Sequence, residues 1–206
     1  MTRSEFLKDE TGVYNDKLRA VLRTYVYENS DTGYVQGMSD LLEPITVVLE
    51  DAPSAHYCFT RLLRHAGPRF DNLAENGIQS SLRRLRCLLA YLDPDLSEYF
   101  QSQEFDHMYF AYRWFLLDFK REFEPAIVLE VWEATWAARH VATQHFAVFI
   151  AIAIFQINRD ALFKCKGFSD ILKLLNDLSM DPKTTISRAR ELVDEVRGFA
   201  SSTYTR

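Results

Sequence analysis

The stretch Phe146-Ala147-Val148-Phe149-Ile150-Ala151-Ile152-Ala153-Ile154-Phe155-Gln156-Ile157 is apolar at every position except Gln156. It is too short to span a bilayer, and a helix that is hydrophobic all round belongs inside a folded protein. It predicts a buried helix that other elements must cover. Upstream, Leu82, Leu85, Leu89 and Leu92 form a stripe at helical spacing, and Met108, Tyr112, Phe115, Leu116, Phe119 and Phe123 form another. Downstream, Phe168, Ile171, Leu172, Leu175 and Leu178 form a third. Each predicts a core-facing helix. In the second stripe the aromatics turn inward, Trp114 among them, while Lys120, Arg121 and Glu122 stay solvated.

Boundary residues agree with a helical chain. Glu124-Pro125 and Asp181-Pro182 read as helix starts, with Pro at the first helical position and Asp181 as an N-cap. The segments around Ala66-Gly67-Pro68 and Asp93-Pro94-Asp95 read as short loops. Strict alternation over strand lengths is hard to find, and no linker or fixed-period repeat stands out. The expectation is all-α, one helical domain over residues 1–206.

Composition supports a packed domain. With 206 residues, 48% hydrophobic and 14% aromatic, the chain can bury a substantial core. Seven Gly and six Pro leave little room for the turns of an all-β fold. A formal net charge of -5 argues against an electrostatically driven nucleic-acid binder. Cys58, Cys87 and Cys165 are odd in number and widely spaced, which reads as reduced core thiols. The opening Met1-Thr2-Arg3-Ser4-Glu5-Phe6 has no signal-peptide core, so a soluble, cytoplasmic protein is expected.

Chemistry is suggested by Gly33-Tyr34-Val35-Gln36-Gly37-Met38. Leu18, Val21, Leu22 and Tyr25 mark an apolar helical face before it, and Asn29-Ser30-Asp31-Thr32-Gly33 is a polar break. Mainly apolar sequence resumes from Met38 to Leu49, with Pro44 a kink or restart point. Gln36 thus stands at or just inside a helix start. Its carbonyl oxygen can accept a hydrogen bond from an attacking water while its NH2 donates to a developing oxyanion or a partner carbonyl. Without flanking context, a solvated loop amide is the better reading.

Other chemistries find little support. No Gly-x-x-x-x-Gly-Lys-Ser/Thr loop or Gly-x-Gly-x-x-Gly fingerprint exists, so no nucleotide or cofactor site is expected in the chain itself. His56 with Cys58, and His140 with His145, lack the convergent donors of a metal site. There is no Gly-x-Ser-x-Gly elbow.

Three ordered segments carry a family resemblance. Tyr34-Val35-Gln36-Gly37-Met38-Ser39-Asp40-Leu41 resembles the second signature of the TBC-domain family of Rab GTPase-activating proteins. Arg113-Trp114 followed by Arg121-Glu122-Phe123 resembles that family's Arg-Trp...Arg-Glu-Phe signature, and Val131-Trp132-Glu133-Ala134-Thr135-Trp136 resembles its Trp-Glu block. The likeness runs roughly from Tyr14 to Phe199. Residues 112–123, with Trp136-Ala137-Ala138, look closest to the small G protein signalling modulator branch.

The resemblance implies an all-α domain that engages a GTP-bound Rab and accelerates its hydrolysis by two fingers, an arginine and a glutamine. Gln36 would be the glutamine, orienting water in place of the GTPase's own switch glutamine. Tyr34, Gly37, Met38 and Arg113 would belong to the partner-binding surface, with Tyr34 and Met38 bracing the loop and Gly37 permitting close approach. The family's arginine lies in an upstream Ile-x-x-Asp-x-x-Arg segment that these residues do not contain, and Arg3 matches a second arginine that follows it. The expectation is therefore an N-terminally incomplete TBC domain, weak or inactive by itself. The alternative is a catalytically inert Rab-binding or trafficking module. In either case no cofactor is implied, and membranes are reached peripherally, through the Rab.

Overall fold

The computed structural model describes residues 13–66 and 77–203. In chain order the helices are α1 (Val13–Glu28), α2 (Met38–Val48), α3 (Ala52–Ala66), α4 (Ile78–Leu92), α5 (Pro94–Ser102), α6 (Tyr112–Leu116), α7 (Val128–Val141), α8 (Phe146–Ile157), α9 (Arg159–Leu162), α10 (Phe168–Asp177) and α11 (Pro182–Thr203). No strand occurs among the described residues, so the fold is all-α. The apolar run that predicts a buried helix is α8, and its residues Val148 to Phe155 are all buried. α11 packs most extensively along it, with α4 and α7 completing the cover. No helix of the described residues is long and apolar enough to cross a membrane.

Two apolar clusters hold the helices together. The larger gathers Leu85 and Leu89 of α4, Trp114 of α6, the α8 residues, and Leu192 and Val193 of α11. The smaller joins Val21 and Tyr25 of α1, Met38, Leu41 and Leu42 of α2, and Phe59 and Leu63 of α3. α7 serves both: Val131 and Ala138 face the first, Val128 and Trp132 the second.

Several boundaries differ from the sequence reading, each for a local reason. Pro44 does not restart the helix: α2 is continuous through it from Met38 to Val48. Glu124-Pro125 forms a turn, in which Ile127 and Val128 amides both donate to the Glu124 carbonyl, and α7 begins only at Val128. Asp93-Pro94 is a helix start instead of a loop: Asp93 accepts from the Leu96 amide at 3.1 Å, Pro94 opens α5, and Arg159 forks onto Asp93 at 2.9 and 3.2 Å. Asp181 caps α11 as expected, accepting from the Thr184 amide at 2.7 Å. The three cysteines are free, but only Cys165 is buried; Cys58 and Cys87 are exposed. Gly67 and Pro68 lie outside the described residues.

The largest departure is in the second stripe. Met108 to Phe123 is not one helix. A 3-10 turn at Tyr109–Ala111 leads into the short α6, after which Asp118 and Phe119 adopt φ of 47° and 60°. Two successive non-glycine residues in the left-handed region cost about 1–2 kcal/mol each, so the surroundings must hold them. Phe119 is 1% exposed against the rings of Trp114, Phe115 and Phe123. Its amide donates to the Trp114 carbonyl at 2.9 Å, and Trp132 Nε1 donates to the Asp118 carbonyl at 2.8 Å. This reversal aims the next residues inward. Lys120 and Glu122 are each 8% exposed, contrary to the solvated face the spacing predicts, because Lys120 pairs with Glu43 of α2 and Glu122 with Arg113.

A groove of about 1060 Å³ lies between α2, α3 and α7, with Val48, Tyr57, Leu129 and Trp136 exposed along it.

Two substitutions test how the reversal is held. Trp132→Phe keeps an aromatic ring but removes the donor to the Asp118 carbonyl, and should cost about 1–3 kcal/mol in urea unfolding with helix content unchanged. Lys120→Met leaves the Glu43 carboxylate buried without its cation, and should cost about 3–5 kcal/mol, most of which returns when Glu43→Leu is added.

Candidate functional site

The glutamine turn is built from both ends. α1 closes with the amides of Thr32 and Gly33 donating to the Asn29 carbonyl at 3.1 and 2.9 Å, with Gly33 at φ +63°. α2 opens at Gly37, whose φ of 108° and ψ of -19° favour glycine over any residue with a side chain. Between them the Met38 amide donates to the Val35 carbonyl at 3.1 Å, while the Val35 amide donates back to Met38 Sδ at 3.4 Å. Tyr34 Oη and Ser39 Oγ are hydrogen-bonded at 3.2 Å. Gln36 stands at the apex of this turn, one residue before the left-handed glycine.

Exposure separates the expected site residues. Gln36 and Tyr34 are exposed, and the Gln36 amide makes no hydrogen bond to other described residues. It is free to donate and accept at once. Gly37 and Met38 are buried, Met38 at 1% exposure. Met38 plugs the smaller core and holds Val35, and Gly37 sets the angle between the turn and the helix.

Behind the turn, α2 presents two acids to the reversal after α6. Asp40, 5% exposed, receives a forked pair from Arg121, Nε to Oδ1 at 2.8 Å and Nη2 to Oδ2 at 3.0 Å. One turn further on, Glu43 takes Lys120. Asp40 lies in the first turn of α2, where the helix dipole also favours a carboxylate. The hydrogen bond to Asp40 is the main cause holding the Arg121 pKa above its ordinary value, burial acting against it.

Arg113 is joined to the same network. Its Nε and Nη2 donate to the two Glu122 oxygens at 2.8 and 2.9 Å, and Nη2 also reaches Asn176 Oδ1 on α10 at 2.9 Å. The fork faces inward, and the side chain stays 39% exposed. Trp114, beside it, is fully buried, as the sequence predicts. A polar cleft of about 550 Å³ opens next to Arg121 and Glu122, bordered by Glu124, Asp177 and Asp181. The described residues hold no group of three His, Cys, Asp or Glu suited to a metal ion. Arg3 lies outside the described residues.

Sequence reasoning did not single out Asp40, Glu43, Lys120 or Arg121 as a connected set. The signal was present: two acids a helical turn apart inside an otherwise apolar run, and two consecutive bases inside an aromatic one.

Known proteins carry the same arrangement of sequence and fold. The chain is 38% identical over 186 residues to small G protein signaling modulator 1 of Mus musculus, a match covering 88% of this chain and 17% of that protein. It is 35% identical over 167 residues to Rab GTPase-activating protein tbc-8 of Caenorhabditis elegans, covering 80% of this chain and 18% of that protein. The chain thus spans under a fifth of the length of these curated relatives. Its fold matches the Chlamydomonas flagellar RabGAP TBC domain with a TM-score of 0.72 at 19% identity, over 95% of this chain and 64% of that one. A sequence model of the Rab-GTPase-TBC domain matches residues 2–163. On that match and these relatives, the chain belongs to the Rab-GTPase-TBC domain family.

Proposed function

We propose that this chain is the part of a Rab GTPase-activating domain that supplies the glutamine finger, and that Gln36 is that finger. The observation that carries the reading is the exposed, internally unpartnered Gln36 amide on a turn braced from behind. Phosphoryl transfer asks little covalent chemistry of a protein and depends on positioning and charge stabilisation. A primary amide suits the positioning of water, because its oxygen takes a hydrogen bond from the attacking molecule while its NH2 donates to the partner. The left-handed Gly37 lets the backbone approach closely, and Tyr34, half exposed on the same turn, flanks the contact. The partner is a GTP-bound Rab-family GTPase, and the domain acts as its regulator without holding nucleotide itself. Association with endomembranes would then come through the Rab.

Charge stabilisation needs a cation at the transferring phosphoryl group. Arg113 and Arg121 have their forks committed to Glu122 and Asp40, and the 206 residues contain no Ile-x-x-Asp-x-x-Arg segment. Binding a Rab without accelerating it is the second reading, and that commitment of the two arginines favours it.

Single-turnover GTP hydrolysis by a panel of Rab proteins separates the two. The 206-residue chain should accelerate hydrolysis weakly or not at all. A polypeptide extended upstream through an Ile-x-x-Asp-x-x-Arg segment should gain about 10³ to 10⁵ in rate. In that extended form Gln36→Ala should lower the rate with less effect on Rab affinity, since the amide acts mainly in the transition state. Undiminished hydrolysis with Gln36→Ala would remove the glutamine from the mechanism, and Rab binding with no acceleration from either length would leave the interaction module.

A further inference from the structure

The Asp40 carboxylate is buried, lies in the first turn of α2, and among the described residues receives hydrogen bonds from Arg121 alone. Arg121 differs from its neighbour Lys120. The Lys120–Glu43 pair is enclosed, with side chains 8% and 2% exposed, whereas the Arg121 side chain is 47% exposed over a carboxylate that is 7% exposed. Lys120 therefore holds α2 to the body of the fold, and Arg121 neutralises and orients a buried acid at the very end that carries the glutamine turn.

The link to Gln36 is short. Gly37 alone stands between Gln36 and the first helical residue, Met38, and its left-handed backbone sets the angle between them. The direction of the glutamine therefore follows how the first turn of α2 is held. If Asp40 loses its cation, a buried, unpaired carboxylate is driven toward water, and the turn that it anchors moves with it. The Met38 Sδ contact to the Val35 amide and the Tyr34–Ser39 hydrogen bond cross that same junction, so displacement of α2 reaches Gln36 along the backbone and through both contacts.

We propose that Arg121, through its forked pair with Asp40, is a positioning residue for the Gln36 turn, acting on the glutamine and not on the nucleotide. This rests on the reading of Gln36 as the glutamine finger. Its chemistry calls for a planar cation at this place: the two parallel bonds fix the carboxylate plane, which a single-point ammonium does not.

Two measurements test it. Amide hydrogen exchange of the 206-residue chain needs no GTPase. Arg121→Gln and Asp40→Asn should each speed exchange of the hydrogen-bonded Val35 and Met38 amides by about tenfold or more, with Arg121→Lys intermediate and the α8 amides unchanged. Unchanged exchange at Val35 and Met38, or an equal rise in α8, overturns the proposal. Hydrolysis by a GTP-loaded Rab, in the extended polypeptide described above, gives the second. Arg121→Gln should lower the single-turnover rate at saturation, on the order of 10² for an ångström of misplacement, with Rab affinity unchanged. Added to Gln36→Ala it should cost nothing more, because a positioning residue has no effect once the group it positions is gone. Additive losses, or a loss of Rab affinity alone, overturn it. If Gln36→Ala itself proves silent, the glutamine-finger reading fails, and the exchange result still decides whether Arg121 holds the turn.

Discussion

Asp118 and Phe119 hold a left-handed backbone that neither residue favours, and the architecture around the candidate site depends on it. A helix continued past Leu116 would carry Lys120, Arg121 and Glu122 away from α2. The reversal instead delivers them to three different partners within a few residues. Its cost is offset by the enclosure of Phe119 among three aromatic rings and by the Trp132 indole on the Asp118 carbonyl. The aromatic signature and the charged one are thus a single device: the rings hold the bend and the bend aims the charges.

Those charges bind elements that the chain separates widely. Asp40 and Glu43 lie on α2, whose Met38, Leu41 and Leu42 belong to the α1–α3 cluster, and Arg113 lies on α6, whose Trp114 and Phe115 belong to the cluster around α8. Lys120 and Arg121 face the one, Glu122 the other, so adjacent residues tie both sides of the domain. Forked arginine pairs fix orientation as well as distance. Apolar packing alone, being non-directional, would leave the angle of α2 less defined, and with it the angle of the Gln36 turn.

The parts legible in the sequence are those where one helical face settles the matter. α8 needs no periodicity because every face is apolar, and the Leu82–Leu92 stripe is α4. The Gln36 turn was legible from its glycines and the polar break before it. The region 108–123 was not, because its apolar spacing fits a helix equally well, and left-handed residues other than glycine carry no compositional mark. For the same reason the inward charges read as a solvated face: a charged residue within helical spacing looks like surface until its partner, here on α2, is known. Met38 is a mixed case. Its position beside Gln36 suggests a brace for the loop, but that the brace is a side chain sunk in the core below the turn has no mark in the sequence.

α7 contributes to both apolar clusters from successive positions of one helix, Val128 and Trp132 to one side and Val131 and Ala138 to the other. Opening of α1–α3 strips cover from Trp132, whose indole in turn holds the bend that closes the second cluster. Loss of packing around α8 likewise frees the helix against which α2 and α3 lean. The two clusters therefore share α7, and a change in the packing of either is passed to the other through that one helix.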